Sequence, residues 1–114
     1  MAAPYCEFVA IPAFEKSVKK VLTEEDRREL ELLLLSNPEA GPLIPRTGGF
    51  RKLRFARPSR GEGKSGGTRI IYYLVTRKER IYLVLAYSKN VKDDLTRAEE
   101  NDLRDLSRKL EGEE

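Results

Sequence analysis

A chain of 114 residues with 39% apolar and 36% charged side chains suits a single domain, 1–114, with a modest core over about residues 5–110. It has no histidine and one cysteine, Cys6, which excludes an internal disulfide and in practice a structural zinc site, and removes the commonest general acid or base. No stretch approaches the roughly 18 apolar residues of a membrane span and MAAPYCEFVAI lacks a basic leader, so the expectation is a cytoplasmic protein working without metal or cofactor.

Tyr5 to Ile11 is rich in strand-forming residues and stops at Pro12, which predicts a first strand. Pro12 suits the first position of a helix, and Phe14, Val18, Val21 and Leu22 share one apolar stripe, predicting a short helix that ends near Leu22. Thr23 with Asp26 has the pattern of an N-cap, and Leu30, Leu33 and Leu34 form the buried face of a second helix closing at Asn37-Pro38. After a Pro- and Gly-rich connection, Phe50 to Ala56 alternates with the period of a strand. Burying Leu53 and Phe55 obliges that strand to show Lys52 and Arg54 on its other face.

The segment RPSRGEGKSGG reads as a mobile basic loop. Thr68 to Thr76 and Arg80 to Ser88 are the strongest strands, joined as a hairpin by the turn RKE. Arg69, Ile71 and Tyr73 are expected on one face of the first, and Ile81, Leu83, Leu85 and Tyr87 on one face of the second. A three-residue turn pairs Thr76 with Arg80 and sets Arg69 opposite Tyr87, whereas a four-residue turn breaks that pairing. Thr96 and Glu99 have capping-box spacing before a terminal helix with Leu103, Leu106 and Leu110 on its apolar stripe. The fold class is therefore α+β with a largely antiparallel sheet.

Charge is unevenly spread along this order. Arg46 to Arg69 holds eight Lys or Arg against the single acid Glu62, a net of +7 in a chain whose total is +3. Such concentration points to a polyphosphate partner. GEGKS within it is not a phosphate-binding loop: Pro58 stands where the first glycine is required, and a strand follows instead of a helix. The candidates for contact with such a polyphosphate are Arg51, Arg57, Arg60 and Lys64, with Tyr73 and Tyr87 either stacking on a base or packing in the core.

TGGFRKLRFA, GKSGGTRIIYY and YSKNVKDDLT together resemble the RelE/ParE superfamily of bacterial type II toxins, most closely its HigB branch. The resemblance implies an endoribonuclease that enters the ribosomal A site and cuts mRNA during translation. It also implies a cognate antitoxin, in the HigB branch often a helix-turn-helix repressor through which alone the toxin meets operator DNA. Matched residue by residue, the family's cationic face places Lys52 and Arg54 on the central strand, Arg69 on the next, and Lys89 just after the last. Asn90 and Thr96 depart from the pattern, standing where RelE has an arginine and its stacking tyrosine.

Cleavage by a 2′-OH needs a base, cations for the phosphorane and an acid for the leaving 5′-oxygen. Arginine stays protonated, so Arg54 cannot be the base. Lys52 is the candidate, because Arg51, Arg54 and Arg69 nearby disfavour a further positive charge. Arg54 and Arg69 stabilise the transition state, and Lys89 is a weaker candidate for the acid. The alternatives are a ParE-like, non-catalytic gyrase inhibitor and an inactive member of the fold that binds only RNA or antitoxin.

Overall fold

The computed structural model describes residues 7–61, 67–92 and 94–112. β1 (Glu7–Ala10) leads into α1 (Pro12–Val18) and α2 (Glu24–Ser36), followed by β2 (Phe50–Phe55), β3 (Thr68–Val75), β4 (Arg80–Ser88) and α3 (Arg97–Gly112). The sheet order is β1-β4-β3-β2, with β1 parallel to β4 and the other two pairings antiparallel. This is the α+β architecture expected from the sequence. Tyr5 and Cys6, assigned to the first strand and the core, lie outside the described residues, as does Lys64.

The two faces of the sheet carry separate cores. On one, Phe14 and Val18 of α1 and Leu30 and Leu34 of α2 pack against Leu53, Phe55, Ile70 and Tyr72. On the other, Leu103, Leu106 and Leu110 of α3 cover Phe50, Ile71, Tyr73 and Val84. At the ordinary value of roughly 25 cal/mol per Å², these apolar clusters are the main source of stability, and each strand is read from both sides.

Local chemistry sets the helix ends. Pro12 occupies the first turn of α1, where a missing N–H costs nothing. The helix stops at Val18, short of Leu22, because Thr23 must be extended (φ −80°, ψ 173°) to cap α2, and the intervening chain tightens into a turn. Thr23 and Asp26 exchange a full capping box. The buried positions of α2 are Asp26, Leu30 and Leu34, a narrow i, i+4, i+8 stripe, so Leu33 lies beside it and stays 37% exposed.

The hairpin of β3 and β4 reaches its register by an unexpected route. Val75 pairs with Arg80, leaving a four-residue turn with Glu79 at φ 52°. Alone, that turn would put Arg69 out of step with Tyr87. A bulge restores the step: Tyr72 faces Leu83 and Ile71 faces Leu85, so Val84 is the extra residue and Arg69 again stands opposite Tyr87. The bulge also overturns the expectation of one shared face in β4. Ile81 and Leu83 face the α1 and α2 side, whereas Leu85 and Tyr87 lie on the α3 side. A bulge of this kind leaves no trace in a run of alternating apolar residues.

Candidate RNA-cleavage site

The pleat of β2 sends Leu53 and Phe55 into the core and turns Lys52 and Arg54 to the α3 side of the sheet. Register does the rest. Arg54 is the partner of Arg69, and Arg69 of Tyr87, so the three form one row across β2, β3 and β4. Lys52 lies one row inward on the same face, opposite Ile71, at about 7 Å along the strand from Arg54. Arg54 is exposed, while Arg69 is only 5% and Tyr87 only 8% exposed.

Two arginines directly opposite each other in an antiparallel pair repel, which destabilises the sheet by a few tenths to about 1 kcal/mol. The same arrangement becomes favourable against a phosphate, which two planar guanidinium groups can hold at once. Among the described residues no group of three or more His, Cys, Asp or Glu could hold a metal.

Of this row only Arg54 is open to solvent; α3 is tied down elsewhere. Its C-terminal turn is held over the far end of the sheet, where Glu111 accepts from Tyr73 Oη at 2.9 Å and pairs with Arg77. Near its start, Glu100 takes two hydrogen bonds from Arg46, of 2.9 and 3.1 Å. Gly48, at φ +82°, lets the chain pass beneath the helix, since a Cβ there would sit 2.3 Å from Ser107 Oγ. Two residues ahead of α3 reach the cationic end of the sheet. Lys92 stands over the Tyr87 ring at 5.8 Å and pairs with Glu99, while Asp94 pairs with Lys52 at 3.4 Å.

The remaining candidates fall in different places. Lys89 is exposed at the same end of the sheet, its N–H donating to Gly67 O at 3.0 Å. Arg51 is turned away from Lys52 and donates to the carbonyls of Gly41 (2.8 Å) and Glu39 (3.4 Å). Lys52 is thus crowded by fewer cations than its neighbours in sequence suggest. Tyr73 is packed tilted against Phe50 with centroids 4.7 Å apart; burial first, and then Glu111, push its hydroxyl up to about 12. The structure does not bring it to the cationic row, whereas Tyr87 is in that row.

The start of the basic loop is anchored. Arg57 donates to Val21 O at 3.0 Å, and Pro58–Arg60 form a single tight turn. Ser59 meets the fully buried Asp26 through both its N–H (2.9 Å) and its hydroxyl (2.7 Å). Arg60 is exposed beyond this clamp. Thr96 is the N-cap of α3, exchanging bonds of 2.8 and 3.1 Å with Glu99.

Sequence reading missed Lys92, Asp94 and the Arg46–Glu100 pair. The run SKNVKDDLT announces a polar exit from the sheet, but a loop has no periodicity from which to place its charges.

The model of the family described as the RelE toxin of the RelE/RelB toxin-antitoxin system matches residues 45–113, more than half of the chain. The chain belongs to the RelE toxin family. Its fold is that of a solved relative, a double arginine-to-alanine variant of the E. coli toxin RelE in the free state. That structure has a TM-score of 0.54 and 17% identity, over 82% of this chain and 90% of that one. The isolated E. coli RelE toxin also matches, at a TM-score of 0.46 and 15% identity, over 90% of this chain and 99% of that one. As a RelE-family toxin the protein is one half of a toxin-antitoxin pair. None of its helices is long and apolar enough to cross a membrane among the described residues.

Proposed function

We propose that this RelE-family toxin is a ribosome-dependent mRNA endonuclease that cuts in the A site by attack of a 2′-OH. The observation that supports this reading is the register that brings Arg54, Arg69 and Tyr87 into one row with Lys52 beside it, Arg54 being its exposed member. Lys52 takes the 2′-OH proton, Arg54 and Arg69 hold the two negative oxygens of the phosphorane, and Lys89 supplies a proton to the leaving 5′-oxygen. Tyr87, buried with Lys92 over its ring, becomes an aromatic surface beside these cations once Lys92 moves aside. Arg57, Arg60 and Lys64 serve docking on ribosomal RNA.

Asp94 makes the free site self-neutralised at Lys52. The carboxylate stands where a phosphate oxygen would stand, so the pair opens before Lys52 meets its substrate. Without histidine the acid-base set is weak, and orientation of the mRNA by the ribosome supplies what it lacks. The partner that restrains the toxin is a cognate antitoxin; in the HigB-like reading it is a helix-turn-helix DNA-binding protein.

Primer extension after induction tests this. The expected result is a set of mRNA 3′ ends in phase with the reading frame. Intact messages accompanied by DNA breaks would instead identify a gyrase poison, and growth without either would identify an inactive member of the fold.

A further inference from the structure

Beside Lys52 a cleft of about 440 Å³ opens between the chain before β2 and the chain before α3. Pro42, Leu43 and Leu95 give it apolar lining, and the ion pairs Lys52–Asp94 and Arg46–Glu100 line it as well. Leu43 is 58% exposed, so the core does not account for it. Isolated surface leucines are ordinary. This one is held on a segment that has little freedom to move.

Ile44 N–H donates to Phe50 O at 2.8 Å and Lys52 N–H to Pro42 O at 3.0 Å, so the segment is laced along β2. The buried Thr47 hydroxyl donates to Ile44 O at 2.8 Å, and Gly41 N–H donates to Tyr72 Oη at 2.9 Å. Gly41 lies so close to β2 that a Cβ on it would stand 2.9 Å from the Lys52 carbonyl carbon. Two prolines, Pro42 and Pro45, flank the leucine. At the far end, Arg46 is fixed by its two bonds to Glu100.

A rigid apolar wall next to a cationic row fits one nucleotide, with its phosphate on the cations and its base against the wall. An apolar peptide side chain would leave the row without a counter-charge. We infer that the Leu43–Leu95 cleft is a base-binding subsite, taking an unpaired nucleobase of the mRNA that flanks the phosphate held at Lys52. The inference rests on the proposed RNA-cleaving function for the choice of RNA as ligand. Binding energy gathered there positions the scissile phosphate and makes cutting depend on the base that enters. Leu43 and Leu95 are accordingly specificity-determining residues and take no part in the chemistry.

The test uses ribosomes programmed with short synthetic mRNAs, each abasic at one A-site nucleotide, with a 2′-deoxy sugar before the cut so that binding is measured without cleavage. Leu43→Ala is expected to weaken toxin binding about fivefold on the intact message and to have no effect when one particular nucleotide is abasic. Lys52→Ala weakens binding equally on all of them. An equal Leu43→Ala penalty on every message, or none on any, overturns the subsite. So does a Leu43→Ala variant that loses affinity for the antitoxin while its message dependence matches wild type. On cleavable messages, a wild-type toxin that shows the single-position signature yet cuts nothing leaves the subsite standing and refutes the nuclease.

Discussion

Lys52→Ala is expected to lower single-turnover cleavage on programmed ribosomes by about 10² to 10⁴-fold, the range for removing a general base. The fold is unaffected: the Asp94 partner is 88% exposed, and an ion pair of that kind contributes about 0 to 1 kcal/mol. Lys52→Arg separates base from charge. It keeps the cation beside Arg54 and Arg69 but supplies a group that stays protonated, so it fails almost as badly as alanine if Lys52 takes the proton. A Lys52→Arg variant cutting near the wild-type rate would reassign Lys52 to electrostatic stabilisation. Rapid-quench measurement with saturating toxin, where binding does not limit the rate, distinguishes the outcomes.

Asp26→Asn has the largest expected effect on stability. Asp26 is fully buried, and its carboxylate accepts from Thr23 N–H at the start of α2 and from the N–H and hydroxyl of Ser59. Burial pushes its carboxyl up, but the bonds from Thr23 and Ser59 outweigh burial and hold it below its ordinary value of 3.8. The amide keeps one acceptor and turns an NH₂ towards donors, at a cost of about 3 kcal/mol, or roughly 10 °C in Tm.

The pH dependence follows in sign. A carboxyl depressed in the folded state contributes stability that is complete above its unfolded value and is lost as pH falls through the folded one, so the window lies below about pH 4. Thermal melts across that window should show wild type losing stability more steeply than Asp26→Asn. Equal melting at neutral pH and parallel acid curves would show that the clamp holds neither α2 nor the start of the basic loop.

Much of this was legible in the residues, and what was not has identifiable physics. Alternation in FRKLRF decided which way Lys52 and Arg54 face, because burying Leu53 and Phe55 on the α1 and α2 side sends the residues between them to the other face. Thr23 with Asp26 announced α2, yet nothing local says that Asp26 also receives Ser59, 33 residues away in sequence. Arg51 looked like part of the cationic cluster until the strand's own pleat turned it toward Gly41. The bulge at Val84 is set by packing between neighbouring strands, so the correct Arg69–Tyr87 pairing was expected from a turn length the chain does not use. The row of cations was therefore readable, while the places of Lys92 and Asp94 beside it depended on where α3 is anchored by Arg46–Glu100 and Tyr73–Glu111.

The chemistry of the cut ends tests the central claim most directly. Purified toxin is mixed with ribosomes carrying a defined message, and the upstream fragment is analysed by mass. Attack by the 2′-OH predicts a 2′,3′-cyclic phosphate on that fragment, a 5′-hydroxyl on the other, and no cutting when the nucleotide before the scissile phosphate carries 2′-deoxyribose. A 3′-hydroxyl paired with a 5′-phosphate, or undiminished cutting of the deoxy message, would contradict the assignment of Lys52, Arg54 and Arg69 to a 2′-OH mechanism.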